Sequence, residues 1–578
     1  MTDSFFQSIR NNRIPLTIIT LGTVLATYFI SHTYWAADDF AYMQRFADQP
    51  LSWEFITTPF DNHLVPLFVA TWWAVNKIAQ GNYTYAAVIM VLGFITLHFS
   101  FLKLLKQFSL SDIQRNILVA VFVFASLILH NFFWWAAFLS SIVPLIFIIN
   151  FLTYSMKYYK DTETKYLVVS LLCLTVASLY FEKMMMYSGV LFLFLVLVHG
   201  DFSVTCVKNT ILRLRWMWVG LTGIVGVLMV MYVQSGALET VSSRPTPSSL
   251  FSYLKVTWFQ YFIPQVFGIR YLNIDVFGNS TLTIVFGVVV TFLVGLFLLK
   301  CKYFGLRVAM FFGIVFIIVE SAAALGRLTY NGYGISGEMR YHLDSFLVFC
   351  ISIAAVTAYL SRYAPMTIHR SISFMLCTLF VLFLSLNIYT AHHDLTHSIG
   401  YQTKIFHNNI RNIDHQVAET RFRIMHFSSL KYNLLSNVLA ATNTDIDLTD
   451  VAEHAVLPNG TSMKARDLFQ FGKIDLLRTK KCSINGSLTV DIPENNAGYE
   501  YVVFNISSGS KNLSKISLDG SGHQLLDLDF TPNSVSDTSY VFSPLYTLTN
   551  IDGTITFITR QEVCLDSVIG VPFIYLDK

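Results

Sequence analysis

One feature constrains this chain more than any other. Apolar runs of about 20 residues, each long enough to cross a bilayer as a helix, recur between residues 14 and 391. In lipid every backbone N–H and C=O must find a partner inside the protein, so such runs fold as membrane-spanning helices. Composition agrees. Of 578 residues, 54% are hydrophobic and 13% charged, against about 25% charged in soluble domains. A wholly soluble protein is excluded, and no nucleic-acid partner is expected.

The first run, "IPLTIITLGTVLATYFISHTYW", follows Arg10 and Arg13. It is too long for a cleaved signal peptide and lacks a small-residue cleavage site, so it reads as a retained span with a cytoplasmic N-terminus. Basic residues then cluster in alternate short connections: Lys103, Lys106 and Arg115; Lys157, Lys160 and Lys165; Lys208, Arg213 and Arg215; Lys300, Lys302 and Arg307; Arg362 and Arg370. Placing all of them in the cytoplasm leaves the longer aromatic connections outside: 33–82, 130–135, 181–187, 235–280 and 326–341. Residues 63–78 break the alternation if counted as a span, and read instead as a shallowly inserted helix. The expectation is an all-α domain of about eleven spans over residues 1–395, in a bacterial inner membrane, with the chain after it periplasmic or extracellular.

Residues 396–440 carry helical spacing and read as a connector. From 441 to 578, segments such as "GSLTVDI", "EYVVFNIS" and "GTITFIT" alternate apolar and polar residues between turn residues, as in an antiparallel β-sandwich. Such a domain suits carbohydrate binding or docking, and equally a structural cap. Cys482 and Cys564 are the two cysteines of this exported part and suit a disulfide; two unpaired thiols are the alternative. No metal-ligand spacing or nucleophile motif occurs in the tail.

The external connections gather charge where charge is costly unless it pairs or binds something. Asp38 and Asp39 follow the first span, and His63 opens "HLVPLF". Glu182 and Lys183 lie in the third external connection, Arg327, Arg340 and His342 in the last. Carboxylates can take a proton from a hydroxyl or hold a divalent cation. Guanidinium groups match phosphate oxygens. Acids facing cations at a membrane surface fit group transfer from a lipid phosphate to a hydroxyl.

An acidic pair after span one, then His63, Pro66 and Leu67 in "HLVPLF", and a late "EMRYHLDSFLVF" at 338–349 resemble the GT-C superfamily of integral-membrane glycosyltransferases. The likeness covers about 14–391 as architecture and sparse motifs. "HLVP" departs from the commoner His-Pro-Pro by an inserted residue. The resemblance implies that Asp38 or Asp39 is the catalytic base or holds Mg2+ or Mn2+. It implies that Arg340, with Arg327 or Lys183, meets the donor phosphate, and that His63, Glu182 and His342 line the substrate site. The donor would be a polyprenyl-phosphate-linked sugar and the acceptor a glycan or glycolipid of the lipopolysaccharide O-antigen kind. A flippase and a donor-making synthase would then work beside it, with membrane lipids around it. In size and topology the bacterial enzymes that modify such surface glycans are the nearest type.

Each of these residues has a plainer reading. Asp is a good N-cap, so one of the pair could only cap a helix. Arg340 could snorkel from a span end. Glu320 faces either a cavity or a neighbouring helix. "TWW" and "NFFWW" suit an interfacial aromatic belt before a sugar platform. A polymerase or ligase of O-antigen type is the nearest rival function, and a polytopic lipid or glycan transporter the next, although no internal repeat of the transporter kind is present.

Overall fold

The structure is a computed structural model that describes residues 13–36, 39, 42–43, 50–59, 63–79, 82–200, 202–235, 246–269, 280–331, 339–363, 370–396, a few up to 404, and the strands between 422 and 572. It divides into two compact units, Met1–Lys404 and Ile405–Lys578.

The first unit is helical. Its elements are α1 Arg13–Ser31, α2 Pro66–Ala79, α3 Tyr83–Leu105, α4 Asp112–His130, α5 Trp135–Asp161, α6 Thr164–Tyr180 and α7 Glu182–His199, then α8 Val204–Arg213, α9 Arg215–Ser235 and α10 Pro247–Val256. They continue with α11 Ser280–Lys300, α12 Lys302–Asn331, α13 Leu343–Tyr363 and α14 Arg370–Thr396. Among the described residues, eight helices are long and apolar enough to cross a membrane: α1, α3, α4, α5, α7, α9, α12 and α13. α6 and residues 283–299 of α11 are shorter apolar helices.

α2, the segment that would have reversed the charge alternation, is 14 residues long. At 1.5 Å per residue that is about 21 Å, short of the roughly 30 Å of hydrocarbon. Its buried residues Phe68, Val69, Trp72, Val75 and Ala79 form one stripe at helical spacing, which lays it along the bundle.

Hydrogen bonds sort the connections into two sets. At the basic end, Lys160 Nζ donates to Gln107 O at 3.2 Å, Arg213 to Lys160 O at 2.8 Å, and Arg362 to the Ser109 hydroxyl. At the other end, Thr33 Oγ1 meets Tyr83 OH at 2.8 Å and Thr71 Oγ1 meets Tyr180 OH at 2.7 Å. The connections read as cytoplasmic thus meet one another, and so do those read as external.

Polar side chains also satisfy backbone where α4 breaks at residues 124–125 and where the helical run that α10 begins, through Thr257–Phe262 and Ile263–Val266, ends. Ser126 N donates to Asn387 Oδ1 at 3.0 Å, Asn387 Nδ2 to Val266 O at 3.3 Å, and Thr390 Oγ1 to Gly268 O at 2.7 Å. Gly268 has φ +67, and a Cβ there would lie 2.5 Å from Asn387 N, so only glycine fits.

The second unit is described only in its strands. Ser487–Ile492, Gly553–Thr559, Leu513–Gly520 and His523–Asp529 form a four-stranded antiparallel sheet in that order. Ser539–Phe542, Tyr499–Ser508, Cys564–Pro572 and Ile474–Leu477 form a second, in which Lys481–Cys482 also pairs with Cys564–Pro572. Cys482 and Cys564 are disulfide-bonded across that pairing, 82 residues apart in sequence. Most of the expected helical connector lies outside the described residues; within its range, Phe422–Ile424 is a strand paired with His454–Val456.

Candidate active site

The acidic pair divides. Asp38 lies outside the described residues. Asp39 is fully buried. Its Oδ2 accepts the Ala36 N–H at 2.9 Å and its Oδ1 the Ala136 N–H at 2.9 Å, while its own N–H donates to Ala36 O. Ala136 is in the first turn of α5, so Asp39 caps that helix across a gap of 97 residues in sequence. Asp39, expected as a base or metal ligand, thus anchors the start of α5. Each carboxylate oxygen accepts a backbone N–H. Among the described residues no three His, Cys, Asp or Glu side chains gather as a metal site.

Around this cap the aromatic residues are packed inward. Trp35, Trp72 and Trp135 are buried, with ring centroids 5.7, 6.1 and 6.4 Å apart. An interfacial belt would leave these rings at the lipid boundary; here they wedge the first loop between α2 and α5. Each tilted or edge-on pair adds about 0.5–1.5 kcal/mol beyond area burial. Trp134, the residue before α5, stays half-buried and carries the Arg340 guanidinium 4.6 Å from its ring centre. The first loop and the segment around Arg340 thus reach the same helix start.

A second convergence lies at α7. α6 ends at Tyr180, Phe181 is extended, and α7 opens with a tight turn over Glu182–Met186. This abrupt reversal puts Glu182 and Lys183 side by side at a helix start. His63 Nδ1 lies 2.5 Å from Glu182 Oε1, with the two side chains 31% and 23% exposed. Tyr232, near the end of α9, interacts with Glu182 and with the Leu64 backbone N–H. A carboxylate in the first turn suits the helix dipole, but a lysine opposes it. Lys183 is held there by Asp344 in the first turn of α13: Nζ is 2.6 Å from Oδ2, and Tyr187 OH donates to Oδ1 at 3.0 Å. Asp344 is 4% exposed and the Lys183 side chain 20%.

His342, expected at the substrate, is packed against Glu320. It is fully buried, with Nδ1 3.1 Å from Glu320 Oε2. Ser345 Oγ donates to Glu320 Oε1 at 2.6 Å, and Tyr253 OH of α10 lies 3.5 Å from Oε2. Glu320 therefore faces neighbouring elements and ties α10, α12 and α13. Arg327 lies in α12, with its side chain outside the described residues.

Of the expected residues, His63, Glu182, Lys183 and Arg340 stand partly exposed at one end of the bundle, on segments far apart in sequence. Asp344 and Tyr187 join them and were not singled out beforehand, as does Trp134 of the "NFFWW" stretch. The signal for Asp344 was present: an acid one residue inside an apolar run, where ionisable groups are functional by default. Chemically, the end offers a carboxylate–imidazole pair beside an ammonium, and a guanidinium lying over an indole.

No protein-family model matches the chain, and no curated protein matches it in sequence. Among solved structures, an oligosaccharyltransferase from Archaeoglobus fulgidus is similar with TM-score 0.39 and 11% identity, over 73% of this chain and 61% of that one. The arabinosyltransferase EmbB from Mycobacterium smegmatis is similar with TM-score 0.32 and 10% identity, over 97% of this chain and 64% of that one. This chain therefore spans less than two thirds of either protein, and likeness so distant assigns neither fold nor function.

Proposed function

We propose that this chain is a multi-span membrane glycosyltransferase that moves a sugar from a polyprenyl-phosphate donor to a hydroxyl of an exported glycan or glycolipid, with inversion at the anomeric carbon. The single observation that carries this reading is the meeting of His63–Glu182 and Lys183–Asp344 at the start of α7, at the same end as Arg340. Acid and cation side by side at a membrane-facing end suit a phosphate leaving group and a hydroxyl nucleophile together.

In this reading the acceptor hydroxyl gives its proton to Asp38. Its neighbour Asp39 is committed to backbone donors, so Asp38 is the member of the pair left for chemistry. The acceptor oxygen bonds to the anomeric carbon as the carbon–oxygen bond to phosphate breaks. The electron pair leaves on polyprenyl phosphate, and Lys183 and Arg340 balance the charge that develops there. His63 and Glu182 hold the acceptor's other hydroxyls. About eleven spans, an extracytoplasmic active end and an O-antigen-like acceptor complete the proposal.

The test supplies membranes containing the protein with labelled polyprenyl-phosphate sugars and follows label into glycan. Transfer by the wild type and its loss in Glu182→Gln supports the reading. No transfer from any donor, together with unchanged surface glycans when the chain is deleted from cells, would overturn it and favour a transporter.

A further inference from the structure

The basic end of the bundle carries a lysine–tyrosine cluster that the proposed chemistry leaves unused. Lys103 lies in the last turn of α3, Tyr154 and Lys157 near the end of α5, and Lys165 and Tyr166 at the start of α6. Lys103 Nζ donates to Tyr154 OH at 2.6 Å and lies 4.2 Å from the centre of the same ring. Lys157 Nζ lies 5.6 Å from the Tyr154 ring and 5.4 Å from the Tyr166 ring. Lys165 Nζ is 4.9 Å from Tyr166, and the two rings stack at 6.2 Å.

Three ammonium groups on two stacked rings repel one another. Glu163 pairs with Lys165. Among the described residues no carboxylate is within ion-pair distance of Lys103 or Lys157. The ring faces offset part of this charge, and an anion drawn between Lys103 and Lys157 would offset the rest.

The surface beside the cluster says what kind of anion. Phe99, four residues before Lys103, is 43% exposed; Val168 and Leu172, three and seven residues after Lys165, are 49% and 59% exposed. At those spacings each apolar side chain shares a helix face with its lysine, one or two turns deeper in the bilayer. Charge at the interface with exposed apolar side chains beneath it matches a phospholipid, headgroup over acyl chains. We propose that Lys103, Lys157 and the Tyr154–Tyr166 pair bind the phosphodiester of an anionic phospholipid in the leaflet at the basic end.

Native mass spectrometry of the purified full chain tests this, with phosphatidylglycerol and phosphatidylcholine added in separate titrations. Each lysine near an anionic lipid accounts for about fivefold in affinity, so Lys103→Gln/Lys157→Gln should weaken phosphatidylglycerol binding about twenty-fivefold and leave phosphatidylcholine unchanged. Lys157→Gln alone, which keeps the Lys103–Tyr154 bond, should lose about fivefold and serves if the double variant fails to assemble. Lys208→Gln, an exposed lysine on α8 at the same end, should bind as the wild type does. Unchanged phosphatidylglycerol binding in the lysine variants would overturn the proposal. So would an equal loss in Lys208→Gln, which would make the attraction diffuse, or displacement of the lipid by glycerol phosphate alone, which would make the site one for a soluble anion.

Discussion

Replacing Asp39 by Ala separates a cap from a base. The side chain is fully buried and accepts two backbone N–H groups, from Ala36 and Ala136, each at 2.9 Å. A hydrogen bond to a charged group contributes about 1.5–3 kcal/mol net, and a buried donor left without a partner costs about 1–3 kcal/mol. Losing the carboxylate therefore costs about 3–6 kcal/mol in all. Asp39→Asn keeps one acceptor but points an NH2 at a backbone donor, which costs about 2–4 kcal/mol. Either loss is a large share of the roughly 5–15 kcal/mol that holds a domain folded. Thermal unfolding in detergent, followed by the fraction of monodisperse protein on size exclusion, reads the effect. The expected outcome is a marked drop in midpoint for Ala and a smaller one for Asn, with activity falling in step with folded protein. An unchanged midpoint with abolished activity would refute the capping role and return Asp39 to the chemistry.

Three further outcomes follow from the same geometry. Lys183→Met leaves Asp344 buried without its ammonium and should destabilise by about 3–5 kcal/mol, whereas Lys183→Met/Asp344→Leu recovers most of it; a double-mutant cycle on unfolding midpoints checks the coupling. Arg340→Lys keeps the charge but loses the planar group over Trp134, so transfer should fall about fivefold, near 1 kcal/mol, with an unaltered midpoint; single-turnover sugar transfer measures it. Cys482→Ser opens an 82-residue loop, for which chain entropy gives about 4.5 kcal/mol, so the C-terminal unit should become protease-sensitive while the helical unit keeps its cleavage pattern.

The helical, membrane-spanning character of the first unit was legible because run length is set by the bilayer itself. α2 is the short helix that its run length suggested. Convergence of His63, Glu182 and Lys183 was legible in part: charged residues in external connections had to pair with something, and here they pair with one another and with Asp344. What the sequence hid was direction. Asp39 and His342 are polar and near span ends, and two backbone donors for the one and a buried carboxylate for the other decide that both are buried. Trp72 and Trp135 mislead in the same way, since an aromatic near a span end is equally suited to lipid or to a loop packed above the bundle. Such choices depend on contacts across about 100 residues, as between Asp39 and Ala136, and no local pattern carries them.

The measurement that tests the central claim most directly is sugar transfer by Asp38→Asn beside Asp39→Asn, both normalised to folded protein in the membrane. The account predicts that Asp38→Asn folds normally and loses transfer by about 10²–10⁴-fold, while Asp39→Asn loses folded protein and keeps its activity per folded molecule. Full transfer by folded Asp38→Asn would contradict it.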